Sequence, residues 1–266
     1  MRIGSRIESP QNPRVKAWAK LSERKWRDAE GRYLVEGAKL VREALLSECR
    51  VEVVVATERW CADESLRSLA ASAGAEWVEV SERVMEKLAV TETPQGVAAV
   101  VRKRDVGLET LLADPVSVVV VADRLQDPGN LGAIVRSVDA AGATGVLIGP
   151  DTVDPYHPKA VRAAAGALFR VPVVGADPAV WLPKARASGI RVVVLSPRAQ
   201  TSIYEAEIAE KVWLIVGSEG RGVSERTAAF ADLSVRIPMA GSAESLNAAM
   251  AATVVLFESM RRRMFS

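Results

Sequence analysis

Asn130 and Arg136 stand six residues apart in DPGNLGAIVRSVDAAGATG, residues 127–145, which follows the apolar run VSVVVVAD. Glycines placed there could cradle a nucleotide phosphate on backbone N–H groups. The dinucleotide fingerprint needs G-x-G-x-x-G straight after a strand. Here the glycines are Gly129 and Gly132, with Val135 where a third is needed, which weakens a nicotinamide-type reading. Taken alone, Asn130 is simplest as a helix N-cap and Arg136 as a surface cation. A second stretch, LIVGSEGRGVSE (214–225), runs into a glycine-rich turn around Glu219. It would expose backbone groups to a ligand, or simply make a tight turn before a capped helix. A third, IPMAGSAESLNAAMA (237–251), passes through small residues into a helix opening with Ser245 and Asn247, and Ser245 alone could be a cap.

These loops need strands and helices to hold them. From Pro115 onward, apolar strands VSVVVVA, GVLIG, VPVV, IRVVVLS, VWLIVG and SVRIPM alternate with helical segments. Continuous Val/Ile runs in that alternation indicate a parallel sheet covered on both faces. All three polar-and-glycine loops then fall at C-terminal strand ends, where an open α/β sheet binds its ligand. The last helix carries apolar residues at Leu246, Met250, Val254 and Phe257 and ends in three arginines, favourable at a helix C-terminus. Between Tyr33 and Val101, shorter segments (RYLVEG, AKLVREALL, VEVVVAT, ESLRSLAASAG, EWVEV, SERVMEKLA, GVAAVV) read as a smaller α/β unit. The expected organisation is a basic N-terminal arm (1–32), a small α/β domain (33–102), a linker (103–113) and a parallel-sheet domain (114–266).

Composition bounds the chemistry. A chain of 266 residues, 49% hydrophobic and 26% charged, has ample material for cores and is not generally disordered. Two cysteines, Cys49 and Cys61, and one histidine, His157, match no metal-ligand spacing, so no metal is expected. His157 is far from any nucleophile elbow, which disfavours Ser-His catalysis. No signal peptide or apolar span of membrane length is found, so a cytoplasmic protein without membrane contact is the expectation. Net charge is only +2, but residues 1–32 carry nine basic and four acidic groups, a local +5, interleaved with Trp18 and Trp26. Cations and aromatic faces suit RNA. The plainer alternative is a solvated helix with its tryptophans packed down.

With all three motifs in order, the sequence resembles the SpoU (TrmH-type) RNA ribose 2′-O-methyltransferases of the SPOUT superfamily. KAVRAAAGALFRVPV is similar to the segment between the family's first and second motifs, and RIESPQNPRVKAWAKL to the start of its N-terminal substrate-binding domain. That domain is similar to a small ribosomal RNA-binding protein. The resemblance implies a C-terminal trefoil knot, a homodimer with the final helix near the interface, and S-adenosyl-L-methionine as cofactor. It implies methyl transfer to a ribose 2′-OH of structured RNA, with 23S ribosomal RNA favoured over tRNA. Arg136, Asn130, Glu219, Ser245 and Asn247 become the expected catalytic residues. Arg136 would hold a phosphate and stabilise alkoxide charge, since a guanidinium stays protonated. Leu195, Ser196, Gly217, Gly220, Ile237, Met239 and Leu246 become the expected cofactor contacts, mostly through main-chain groups. The competing readings are a tRNA methyltransferase, an RNA-binding or ribosome-assembly protein without catalysis, and a nucleotide-dependent oxidoreductase.

Overall fold

The computed structural model describes residues 6–91, 93–208 and 210–265; Arg2 of the basic segment lies outside them. The chain forms two compact units. One runs to Asp105 and takes in Tyr156–Val161, and the other comprises Val106–Pro155 and the residues from Arg162 onward.

The first unit is built on four strands: β1 (Arg32–Glu36), β2 (Val51–Ala56), β3 (Glu76–Glu79) and β4 (Val97–Arg102). Their order is β1-β4-β2-β3, with β4 antiparallel to both neighbours and β2 parallel to β3. The basic N-terminal segment enters this unit's core. The Pro13–Lys20 helix, capped by Asn12, turns Val15 and Trp18 inward against Val53, Val78, Met85 and Val100. Arg14, Lys16 and Lys20 stay exposed, as a helical period of 3.6 requires. Two of the basic groups are structural. Arg27 is 2% exposed and donates to the carbonyls of Leu21 (2.8 Å) and Ser22 (2.7 Å). Arg32 pairs with Glu30 and Glu52. Trp26 is half-buried, with the Lys20 amine 4.3 Å from its ring centroid.

The second unit holds seven strands: β5 (Val118–Asp123), β6 (Gly145–Ile148), β7 (Val173–Gly175), β8 (Arg191–Leu195), β9 (Thr201–Ser202), β10 (Val212–Gly217) and β11 (Leu233–Arg236). The order is β7-β6-β5-β10-β8-β11-β9, and every pairing is parallel. All six residues of β5 are buried, so the valine run shows no alternation because both its faces are covered. Trp213 on β10 is fully buried; its Nε1–H donates to Ser117 Oγ at 3.1 Å, which donates to Leu111 O at 2.7 Å. The indole thus buries its large area without an orphaned donor.

Strand order decides where a site can form. The chain lays β5, β6 and β7 outward in one direction, then returns, and β10 inserts between β5 and the earlier β8. That reversal is a topological switch point, where parallel sheets leave a crevice at their carboxyl ends. The loops after β5, β10, β8 and β11 (residues 124–127, 218–224, 196–200 and 237–247) are therefore neighbours.

The final helix, Ala248–Phe265, buries a different face from the one its larger side chains suggest. Ala248, Ala249, Ala252, Val255 and Leu256 face inward, while Met250 is 63% and Phe257 40% exposed. Alanines let the helix approach its neighbour closely, and the bulky row is left outside.

Candidate functional site

The Pro128–Ala140 helix carries the first motif, and Asp127, not Asn130, is its cap. Asp127 Oδ1 accepts from the Asn130 N–H at 3.0 Å, and Pro128 fills the first helical position, where no amide donor is needed. Capping by Asp127 leaves the Asn130 side chain available. Its Nδ2 donates to Glu219 Oε1. Asn247 Nδ2 donates to Asn130 Oδ1 at 3.1 Å and to Glu219 Oε1 at 2.9 Å. One residue from each motif loop thus meets the other two, across 89 and 117 positions of sequence.

Donor and acceptor counting fixes the triangle's orientation. Asn247 Oδ1 caps the last helix, accepting from the N–H groups of Ala249 (2.9 Å) and Met250 (3.3 Å). Its Nδ2 must then face the site, and both of its hydrogens are used. Asn130 must present Oδ1 to it and Nδ2 to the Glu219 carboxylate. A side-chain amide has two N–H donors and two acceptor lone pairs. Asn130 therefore keeps one N–H and one lone pair for a ligand.

Glu219 is positioned from behind by a residue that the sequence pattern did not single out. Asp123, 3% exposed at the end of β5, accepts from the Ser224 N–H at 2.5 Å and from Thr227 Oγ1 at 3.3 Å. The 218–224 loop is closed by the Gly222 N–H on Ser218 O at 2.8 Å, with Gly222 at φ 63°. A Cβ on Gly217 would lie 2.2 Å from the Gly222 carbonyl carbon, so only glycine lets the loop fold back over β10.

The helices bearing Asn130 and Asn247 run side by side in the same direction and are joined at three levels. Asn130 meets Asn247 at the top. Ser137 Oγ lies 2.6 Å from Thr253 Oγ1 in the middle, and Arg263 Nη2 donates to Ala141 O at 2.7 Å at the far end. Arg262 donates to the carbonyls of Ala206 (2.6 Å) and Tyr204 (2.7 Å) and to Glu258 Oε1 (2.7 Å). The hydrogen bond from Arg261, then that from Arg262, holds the Glu258 carboxyl down to about 2. The terminal arginines thus fasten the helix that carries Asn247.

The remaining expected residues divide by loop. Arg136 is exposed and stands outside the triangle. Six helical residues turn it about 120° away from Asn130 around the axis. Ser245 is exposed, and the capping position it could have taken belongs to Asn247. The expected cofactor contacts lie on three consecutive neighbours in the sheet. Leu195 and Ser196 end β8, Gly217 ends β10 with Gly220 in the loop beyond, and Ile237, Met239 and Leu246 follow β11. Residues 239–245 are exposed, Ile237 and Leu246 are half-buried, and nothing lies within 4 Å of a Cβ added to Gly220. Among the described residues no group of three His, Cys, Asp or Glu could hold a metal ion, and no helix is long and apolar enough to cross a membrane.

Residues 117–257 match the SpoU rRNA Methylase family, and residues 12–99 match an MRM3-like substrate binding domain. The chain is 34% identical to 23S rRNA (guanosine(2553)-2′-O)-methyltransferase RlmP of Bacillus subtilis, covering 94% of this chain and 97% of that protein. It is 31% identical to the 23S rRNA (uridine(2479)-2′-O)-methyltransferase of Streptomyces viridochromogenes, covering 95% and 91%. The crystal structure of the SpoU methyltransferase AviRb from that organism, in complex with AdoMet, superposes with a TM-score of 0.88 at 31% identity, covering 96% of this chain and 100% of that one. The fold is therefore the expected α/β type with an N-terminal substrate-binding domain, and the chain belongs to the SpoU rRNA methylase family.

Proposed function

We propose that the protein transfers the methyl group of S-adenosyl-L-methionine to a ribose 2′-OH of 23S ribosomal RNA. The observation that carries the reading is the hydrogen-bonded triangle of Asn130, Glu219 and Asn247, one residue from each motif loop. Both 23S rRNA methyltransferases named above are covered over more than nine-tenths of their length, the RNA-binding unit included, which favours ribosomal RNA over tRNA.

A ribose hydroxyl is a weak nucleophile at neutral pH, so the site must align the oxygen while its proton passes to the water that reaches this exposed site. The cofactor supplies an already activated methyl group on a sulfonium. Main-chain groups of Leu195, Ser196, Gly217, Gly220, Ile237, Met239 and Leu246 hold it along the ends of β8, β10 and β11. The spare N–H and lone pair of Asn130 orient the hydroxyl, and Glu219 keeps that amide from turning. Arg136, turned away from Asn130 around the helix, grips the neighbouring phosphate as a permanent cation. Ser245 lines the exposed loop beside them.

A homodimer belongs to the same reading, with the outward Met250 and Phe257 on its interface; such exposed apolar side chains on one helix face favour a partner surface. So does a trefoil knot drawn through residues 237–247, a connection that breaks the usual rules, for which the insertion of β10 between β5 and β8 is the supporting feature. A ribosomal RNA substrate supports a cytoplasmic location.

The test is transfer of labelled methyl groups from S-adenosylmethionine to purified ribosomal RNA and tRNA. Label in 23S RNA, in dinucleotides resistant to alkali, is the expected result. Label on a base, or in tRNA alone, overturns the reading.

A further inference from the structure

We infer that Arg124 is a further RNA-binding residue, contacting a backbone phosphate beside the target nucleotide. The inference rests on the function proposed above. Arg124 lies on the connection from β5 to the Pro128–Ala140 helix, between the buried Asp123 and the capping Asp127. Its backbone sits at φ 59°, the left-handed region that costs a non-glycine residue on the order of 1–3 kcal/mol and persists where the surroundings over-determine it. Asn, Asp and Gly settle there more readily, and local turn geometry alone gives no reason for arginine.

The guanidinium is equally unsettled. Nε is buried and makes no hydrogen bond; it lies 3.9 Å from Asp123 Oδ2, a long ion-pair contact. Asp123 instead spends its oxygens on Ser224 and Thr227. Nη2 reaches the Gly222 carbonyl only at 3.5 Å. A buried donor left unpaired costs about 1–3 kcal/mol. This arginine therefore combines a strained backbone with a weakly held, partly exposed cation, between the loop carrying Glu219 and the helix carrying Asn130 and Arg136.

The side chain is nonetheless part-exposed, at 30%. The guanidinium fork matches phosphate in two parallel hydrogen bonds. The connection after β5 leads into the helix bearing Asn130 and Arg136, and the guanidinium also reaches Gly222 of the loop after β10, so the cofactor-affinity arm of the test separates an RNA phosphate from the carboxylate of S-adenosylmethionine.

The full chain carrying Arg124→Gln, and separately Arg124→Gly, tests this. RNA affinity at fixed salt, its salt dependence, S-adenosylmethionine affinity and Tm are measured beside wild type. Arg124→Gln is expected to weaken RNA binding about tenfold and to reduce the magnitude of the salt slope by about one unit, with cofactor affinity unchanged. Arg124→Gly relieves the backbone, so it is expected to lose RNA affinity equally while Tm holds or rises. An unchanged salt slope, a loss confined to S-adenosylmethionine affinity, or RNA affinity restored in Arg124→Gly overturns the proposal. Wild-type methyl transfer, assayed in parallel, separates this outcome from failure of the proposed activity.

Discussion

Replacing Asn247 by aspartate separates two tasks performed by one side chain. Oδ1 caps the last helix, and an aspartate keeps that role, with its charge at the helix N-terminus adding about 0.3–1 kcal/mol. Nδ2 donates to Asn130 at 3.1 Å and to Glu219 at 2.9 Å, and an aspartate cannot donate. It also sets a second carboxylate against the first. At that separation the repulsion is about 1.4 kcal/mol in water-like dielectric, the appropriate limit for exposed groups. Repulsion and cap gain nearly offset, so stability falls by about 1 kcal/mol or less, a Tm change of about 2–4 °C at most. Orientation is a different matter. Water can replace the lost hydrogen bonds but cannot hold the Asn130 amide in one pose. Misplacing a positioning group by about 1 Å costs on the order of 10²-fold in rate. Single-turnover methyl transfer with excess enzyme reads that loss, and calorimetry reads the Tm. Asn247→Ser, which caps without charge, is expected to show the same rate loss. Turnover of Asn247→Asp within twofold of wild type would refute the orienting role, and equal collapse of rate and Tm would reduce Asn247 to a cap.

Three further outcomes follow from the same geometry. Gly217→Ala, whose Cβ would lie 2.2 Å from loop backbone, is expected to displace the 218–224 loop and weaken S-adenosylmethionine binding at least tenfold by calorimetry; unchanged affinity would show that the loop does not hold the cofactor. Glu258 is held down to about 2 by Arg261 and Arg262, against 4.5 unfolded. A lowered folded pKa contributes stability that is complete above pH 4.5 and lost as pH falls toward 2. The difference in urea midpoint between wild type and Glu258→Gln should therefore be full at pH 6 and shrink by pH 3. Phe257→Lys combined with Met250→Lys is expected to give a monomer in sedimentation while the far-ultraviolet spectrum persists; a persistent dimer would place the interface elsewhere.

The strand-end loops were legible because glycines and small polar residues interrupt valine runs, and the parallel sheet because β5 and β10 lack alternation. Their partners were not. Nothing local in VVVVAD marks Asp123 as the anchor of a loop 101 residues later, since its role is set by strand insertion. Asn130 read as a cap because cap chemistry is local, whereas its bond to Glu219 depends on β10 lying beside β5. In the last helix, periodicity marked the row of Leu246, Met250, Val254 and Phe257, whereas the alanine row faces inward. The alanine row won because close approach to the Ser137 face needs small residues. In the N-terminal segment charge was visible, but Val15 and Trp18 at helical spacing draw it into a core.

The central claim is ribose methylation of 23S ribosomal RNA, and it is tested most directly by mapping 2′-O-methyl groups in 23S RNA from cells with and without the gene. One modified ribose present only with the gene, and restored by wild type but not by Asn130→Ala, is the expected result. Identical 2′-O-methylation maps in the two strains would contradict the account.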